Sequence, residues 1–466
     1  MMENKIYDVI IVGAGVSGSF IADQLTKEGM KCLMLEAGPF LDKDTYPTHE
    51  VVTSSKMYWS GGIELNKNAS LAFLRPKVVG GGSIVNQALL DRFDEEAFGD
   101  WRSKSSISYL NNKDMASWYD QAESKISIQT IPENVRNRNA KIFLKGMEQN
   151  GFSAKALTRA QSGCEYEKGN DCIECLSGCR IDSKQSMPVT TLKSALDQGL
   201  KLVSLFEVKN IKTSGDGVEI SGIRNKKDVK KFKAKKLVLA AGAIGNSLLL
   251  LRSGFKDSNP SIGENFYTHP QYMSLGVYKD PVNSFKSAFQ SVKSDDPKFR
   301  KWGFKLENVF APPAGLSMLI PGHGKAHVGD MRKIPYMACI EVAVRDTNPG
   351  KISIDNKGRT VIDKKLNSED KKRRDKGIEI INNIFSSTGA EKIIKGNTAI
   401  GLHLMGGCVL GTDANKSVTN PEFNLHSSKN VFIADSSVFP SAPGINPSLT
   451  IMALSIMASQ NIISGF

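Results

Sequence analysis

His403, in the run GLHLMGGCVLG, and Asn446, in PGINPSLTIMALSIMASQ, are the two side chains of this sequence best suited to act together on a proton. His403 is one of six histidines and stands in a Gly-rich stretch, where backbone can come close to a ligand. Asn446 precedes Pro447, a residue favoured in the first turn of a helix, and the mostly apolar run from Ser448 to Ile463 predicts that helix. Its free N–H groups and the positive end of its dipole then face whatever lies beside Asn446. An imidazole and an amide over a helix N-terminus suit a centre where a proton leaves and negative charge develops. A solitary histidine is more often a packed core residue, so the reading depends on a second signal elsewhere in the chain.

That signal is at the other end. IYDVIIVGAGVSGSFIADQLTKEGMKCLMLEAG predicts a strand, a tight turn, a helix and a second strand ending at Glu36. Gly13, Gly15 and Gly18 form a GxGxxG at the strand–helix junction. The first allows the turn, the second lets backbone reach a pyrophosphate, and the third lets helix and strand pack closely. The helix N-terminus favours the phosphates, and Glu36 is placed to accept from the hydroxyls of an adenosine ribose. The unit predicts a dinucleotide and leaves NAD and FAD both open.

The chain has 466 residues, 40% apolar and 23% charged, which suits a soluble globular protein of two domains or one with large insertions. Its net charge is +13, yet the densest basic run, RNKKDVKKFKAKK at 224–236, alternates like the exposed face of a hairpin and carries no aromatic besides Phe232. Nucleic-acid binding is therefore not expected. MMENK leads directly into a strand without a cleavable leader, and no stretch reaches the roughly 20 apolar residues of a membrane span, so the expected address is the cytoplasm.

The run RPKVVGGGSIVNQALLDRF at 75–93 has three successive glycines, Gly80 to Gly82, followed by Ser83 and Asn86, which leave backbone bare beside a flat ligand. Together with AAGAIGNSLLLLRSG at 240–254, GENFYTHP at 263–270 and the closing 401–451 region, it resembles the glucose–methanol–choline oxidoreductases, and among them the cholesterol-oxidase-like bacterial branch. The resemblance covers most of the chain in the right order. It implies an α/β protein, α+β overall, with a Rossmann-like FAD-binding domain and a substrate domain on a mostly antiparallel sheet. The expected FAD-binding domain takes residues 1–100, 187–269 and 397–466; 101–186 form a helical and Cys-rich intervening segment, and 270–396 the substrate-binding domain. Gly13, Gly15, Gly18 and Glu36 would hold the ADP half of FAD, and Gly81, Ser83 and Asn86 would lie along the pyrophosphate and flavin. Val208 would meet the adenine, Asp435 the pyrophosphate or ribityl chain, and Pro447 would start the helix that faces the pyrimidine edge of the flavin. No histidine occurs between 75 and 93, so non-covalent FAD is expected. Asn246, Phe255 and Leu404 depart from the family pattern. By the same resemblance, an alcohol gives hydride to the flavin, His403 takes the hydroxyl proton as base, and Asn446 donates to the oxygen. The expected partners are a small-molecule alcohol and an electron acceptor that the sequence does not name.

Cys164, Cys172, Cys175 and Cys179, in CEYEKGNDCIECLSGC, are close enough to ligate zinc or an iron–sulfur cluster. Metal-free thiols are the favoured reading, an iron–sulfur cluster the next. The alternative function is thus a flavin/iron–sulfur dehydrogenase subunit passing electrons to a membrane partner; a non-redox flavoprotein of the same fold is the third. Cys32, Cys339 and Cys408 read as packing residues. His323 and His327 lie four apart, but Pro321, Gly322 and Gly324 predict a loop there. His49 and His426 read as surface residues, and His269 as the exit from the flavin domain. YMACIEVAV, KISI and TVIDKK predict strands, and SEDKKRRDKGIEIINNIFSSTG a helix capped by Ser368 and stopped by Gly389.

Overall fold

The computed structural model describes residues 5–166, 171, 173–215, 217–225, 228–396 and 398–466. Cys172 lies outside them. The order of elements builds two large sheets, each drawing strands from segments far apart in the chain.

The first sheet has the strand Ile6–Val12 between Cys32–Leu35 on one side and Asp228–Leu239 on the other, all parallel. Lys201–Val203 extends the sheet beyond Cys32–Leu35, and Ser428–Ile433 beyond Asp228–Leu239, again in parallel. Chain order reverses at Ile6–Val12, and in open sheets of this kind the crevice at the carboxyl ends of such strands takes the ligand. The register sets Val12 beside both Leu35 and Leu239, so the residues that follow, Gly13, Glu36 and Ala240, emerge at one edge. Both faces of Ile6–Val12 are covered, which is why its second half is apolar throughout. Most of the described part of the basic run lies in a hairpin arrangement as expected: Asp228–Leu239 pairs antiparallel with Gly217–Arg224, and Lys231 and Lys233 reach Glu219 across it.

Helix Val16–Lys27 covers one face through Phe20, Ile21, Ala22 and Leu25. The C-terminal helix, Ser448–Ser464, lies against it and against helix Asn112–Glu123. This last helix is buried nearly all round, hydroxyls included. Ser455 and Ser459 donate to the Ile451 and Ser455 carbonyls, 2.6 and 2.7 Å away, so no buried hydroxyl is left unpaired there. Among the described residues no helix is long and apolar enough to cross a membrane.

The second sheet runs Glu64–Leu65, Leu71–Phe73, Ala399–Met405, Tyr267–Val277, Met337–Val344, Phe304–Asn308, Val292–Ser294 and Ala154–Ala156. Its pairings are antiparallel apart from Leu71–Phe73 with Ala399–Met405. Strands from 64–73, 154–156 and 399–405 join the second sheet, because register rather than chain proximity selects their neighbours. Side chains alternate across it. Ala338, Ile340, Val342 and Val344, with Phe304 and Leu306, pack under helices Arg138–Gln149 and Ser368–Ser387 through Ile380, Ile381, Ile384 and Phe385. Cys339, Glu341, Lys305 and Glu307 have the opposite parity and so stand on the other face.

Three local expectations are corrected. Asn367, not Ser368, caps the long helix, its side chain accepting from the Asp370 N–H at 2.8 Å. Gly324–Met331 is a helix, with His323 at its N-cap; Gly322 and Gly324 adopt positive φ before and at its start and so do not break it. His426 is half-buried and bonded through Nε2 to the Ser417 hydroxyl and the Gly411 carbonyl at 2.9 and 3.1 Å.

Candidate active site

Between the two sheets lies a cavity of about 2210 Å³. It is lined at the carboxyl edge of the first sheet by Gly13, Gly15, Glu36, Ala240 and Asp435, and on the other side by Gln271, Glu307, Glu341 and His403. Gly81, Asn86, Val208, Asn446 and Pro447 line it as well. Gly18 and Ser83 stand behind it.

The glycines have separate reasons. A Cβ on Gly18 would lie 2.0 Å from the Gly13 carbonyl oxygen, so the helix approaches the strand only without one. A Cβ on Gly15 would meet nothing within 4 Å, because it points into the cavity. Gly81, at φ +53°, faces Gly15, and the Gly80 N–H donates to the Ala14 carbonyl at 2.8 Å, joining the two Gly-rich turns. These turns form a cradle of bare backbone of the kind a pyrophosphate requires. Glu36 accepts from the Ala14 and Gly38 N–H groups at 2.9 and 2.7 Å, which fixes its carboxylate at the cavity wall with lone pairs to spare. Burial raises its pKa against those two bonds. Ser83 turns away: its hydroxyl donates to the Gly80 carbonyl at 2.6 Å and accepts from the Met187 N–H at 3.1 Å, bracing the turn.

Asp435 is held by the Gly242 N–H, the Asn246 amide, and the Ser437 N–H and hydroxyl at 2.5–2.9 Å. Asn246 also accepts from the Ala241 N–H at 2.9 Å. The departure from the family pattern at Asn246 therefore has a job: it fixes both Asp435 and the turn after the strand Asp228–Leu239.

His403 sits on a β-bulge. Leu402 faces His269 and Met405 faces Tyr267, so one strand carries an extra residue, and His403 has φ +40°. A bulge re-aims a side chain. Here it turns the ring toward His269, Nδ1 to Nδ1 at 3.0 Å, the rings nearly perpendicular at 87°. His269 Nε2 in turn accepts from the Gly444 N–H at 3.0 Å, two residues before Asn446. The turn preceding the C-terminal helix is thereby tied to the histidine pair. Asn446 accepts from the Lys305 ammonium at 2.8 Å and donates to Asp91 at 3.1 Å, with its second amide hydrogen unused in those contacts.

The Gly444 bond makes His269 Nε2 an acceptor, while the donor and acceptor roles in the Nδ1–Nδ1 contact depend on the tautomer. Burial first, then His403 and Lys305, push His269 well below its usual pKa, and burial, then Lys305, brings His403 down to about 3.

His269, Lys305, Glu307 and Glu341 were missed in the sequence. For Glu341 a signal existed: it is the one charged residue in the strand Met337–Val344, all eight residues of which are buried. Among the described cysteines of the cluster, Cys175 and Cys179 come together. A hydrogen bond from Cys175, opposed by burial and aided by the Lys184 N–H, brings the Cys179 thiol down to about 5. Among the described residues no three His, Cys, Asp or Glu side chains are arranged to hold a metal. Helix 324–331 keeps His323 and His327 off the cavity wall, whereas exposed His49 stands at its rim.

Models of the two parts of the GMC oxidoreductases match residues 7–271 and 350–455. The chain is 26% identical to a long-chain-alcohol oxidase of Arabidopsis thaliana, over 98% of this chain and 68% of the relative. It is 22% identical to the cholesterol oxidase of Acinetobacter baumannii, over 99% and 95%. Pyridoxine 4-oxidase from Mesorbium loti shares the fold with a TM-score of 0.78 at 16% identity, covering 97% of this chain and 98% of that one. A formate oxidase of Aspergillus oryzae does so at 0.76 and 13%, covering 100% and 99%. The cradle between the sheets, the bulged histidine and the asparagine before the last helix are thus those of a chain that belongs to the GMC oxidoreductase family.

Proposed function

We propose that this protein oxidises a CH–OH group of a small molecule, using FAD held without a covalent bond. The observation that carries the reading is the joining of His403 to the turn bearing Asn446 through His269 and Gly444, on the wall of a cavity that also holds the Gly15–Gly81 cradle. The names of the relatives, long-chain-alcohol oxidase and cholesterol oxidase, point to hydroxyl groups as well.

The residues present suit FAD. Gly13, Gly15 and Gly81 would leave room at the pyrophosphate, Glu36 would accept from ribose hydroxyls, Val208 would border the adenine, and Asp435 would lie by the pyrophosphate or ribityl chain. Asn86 and the helix beginning after Pro447 would border the ring system. Bound FAD supplies the hydride acceptor.

His403 would take the hydroxyl proton as base, and the free hydrogen of the Asn446 amide would donate to the alcohol oxygen as it gains negative character; a positioned base is worth about 10²–10⁴ in rate and such a donor about 10²–10³. The Lys305 ammonium, next to Asn446, adds positive potential there.

The test is anaerobic flavin bleaching of the FAD-loaded protein by a panel of primary, secondary, sterol, sugar and heterocyclic alcohols. Bleaching by one class is expected and identifies the substrate; a flavin that no alcohol bleaches would sink the reading.

A further inference from the structure

The face of the second sheet that borders the cavity carries a polar hollow beside His403 and Asn446. We propose that this hollow, formed by Glu307, Glu341 and Gln271, binds the ammonium group of an amino alcohol and so selects the substrate; the inference rests on the oxidation proposed above.

Strand register builds the hollow. Ala343 lies between Gln271 on one neighbouring strand and Lys305 on the other, and Glu341 lies between Met273 and Glu307. Residues two apart on a strand share a face, so Gln271, Lys305, Glu307 and Glu341 surround a side chain that ends at its Cβ. Gln271 and Glu341 are diagonal neighbours, which in a sheet stand about 7–8 Å apart and leave space for one small group between their tips. Gln271, Glu307 and Glu341 all line the cavity. The hollow adjoins the reacting pair at both ends. His269, which meets His403, stands two residues before Gln271, and Lys305 donates to Asn446 at 2.8 Å. Two residues of strand span about 6–7 Å, the reach of an amine a few carbons from the carbinol.

The hollow is short of one cation. Glu307 and Glu341 are 1% and 2% exposed and hydrogen-bonded to each other, beside the ammonium of Lys305. Glu307 is held at both oxygens, by Lys305 at 2.8 Å and the Gln290 amide at 3.0 Å. Burial and the charge of Glu307 push the Glu341 carboxyl up to about 8, against Lys305. Two carboxylates this deep are costly beside a single ammonium, and a second cation would balance them.

Gln271 points to the same ligand independently. It is 3% exposed, and its amide oxygen has no hydrogen-bond partner among the described residues. A buried acceptor left unpaired costs free energy, which a donor arriving in the cavity recovers. An amide presents its oxygen or its NH₂ by a half-turn, so Gln271 is able to offer the oxygen to that donor. An –NH₃⁺ group has three donors and no acceptor, which suits a carboxylate and an amide oxygen together. A quaternary ammonium brings the charge without the donors, a hydroxyl a donor without the charge, and a methyl neither. With the amine held in the hollow, the carbinol is placed at His403 and Asn446.

The experiment is anaerobic flavin reduction of the FAD-loaded protein by cyclohexanols that differ in one substituent, amino, trimethylammonio, hydroxyl or methyl, taken in each ring isomer. The best amino isomer should reduce the flavin about 10–100-fold more efficiently than its counterparts. In Glu341→Gln and in Gln271→Leu the amino-to-methyl ratio should fall about tenfold. A wild-type ratio near one, a trimethylammonio or hydroxyl compound as good as the amino one, or a ratio kept in either variant overturns the proposal. Cyclohexylamine, which has no hydroxyl to oxidise, reads the hollow without turnover. Calorimetry should show saturable binding to the FAD-loaded wild type and weaker binding to Glu341→Gln; no binding, or equal binding to the variant, overturns the proposal. Failure of every alcohol to bleach the flavin would instead remove the oxidation reading, and the calorimetry would then decide whether the hollow binds an ammonium.

Discussion

His403 holds a left-handed backbone conformation within a strand, which costs a residue with a Cβ about 1–3 kcal/mol and persists only where the surroundings impose it. The surroundings here are His269 and Gly444, which hold the ring at the cavity wall. His403→Ala removes the ring but touches nothing in the cradle of Gly15, Gly81 and Glu36. The variant is therefore expected to retain stoichiometric FAD while its flavin reduction slows about 10²–10⁴-fold. Stopped-flow under nitrogen measures this, and a near-native rate would mean that His403 does not meet the alcohol. His403 and Asn446 were legible in the sequence because a lone histidine in a Gly-rich stretch and an Asn–Pro helix start are local signals. His269, Lys305 and Glu307 were not, since each acquires its role from a partner set by strand register: Gly444, Asn446 and Glu341 lie between 34 and 175 positions away.

At the scale of elements, the first strand, turn and helix were readable almost to the residue, because each glycine of GxGxxG answers to a constraint within some 20 positions. The second and third glycines answer to opposite constraints, and that difference is testable. Gly18→Ala places a Cβ 2.0 Å from the Gly13 carbonyl oxygen and must push helix Val16–Lys27 off the sheet. It should lower the unfolding midpoint even without FAD, by a cost of about 1–3 kcal/mol. Gly15→Ala keeps φ near −79° and adds its methyl to open space, so the apoprotein should melt as wild type does and bind FAD poorly. Calorimetry of both apoproteins, with FAD content after reconstitution, separates the two. Equal melting losses would contradict the assignment of Gly15 to the ligand side. The elements that resisted reading are the short ones. The strand Phe304–Asn308, which supplies both Lys305 and Glu307, alternates apolar and polar residues but is only 5 residues long, too short for a period to stand out in the sequence. The helix Gly324–Met331 forms with Gly at its first position and no buried residues, against its propensities.

For the molecule as a whole, the cavity lies where two sheets face each other, and neither is built from one continuous stretch. The strands 64–73 and 399–405 leave the dinucleotide-binding part to join the second sheet, so the site forms only when both are assembled. One fastening of the second sheet is a buried ion pair. Lys364, fully buried, donates to Asp346 at 2.6 Å and to the Asn348 carbonyl, while Asp346 also accepts from the Thr268 N–H at 3.1 Å. The Lys364 carbonyl in turn accepts from Asn66 at 2.7 Å. Residues 346–364 are thus fastened to the entry of the strand that carries His269 and to the loop before Leu71–Phe73. Asp346 is raised to about 6 by burial even with Lys364 beside it, a sign that its ionised form depends on that partner. Lys364→Met keeps length and apolar packing but leaves the carboxylate alone, a change worth about 3–5 kcal/mol for a buried pair. The unfolding midpoint in urea should fall accordingly at neutral pH. Adding Asp346→Asn should recover part of the loss, because no charge is then left buried without a partner. A single variant as stable as wild type, or a double variant no better than the single, would show that the pair does not fasten the second sheet.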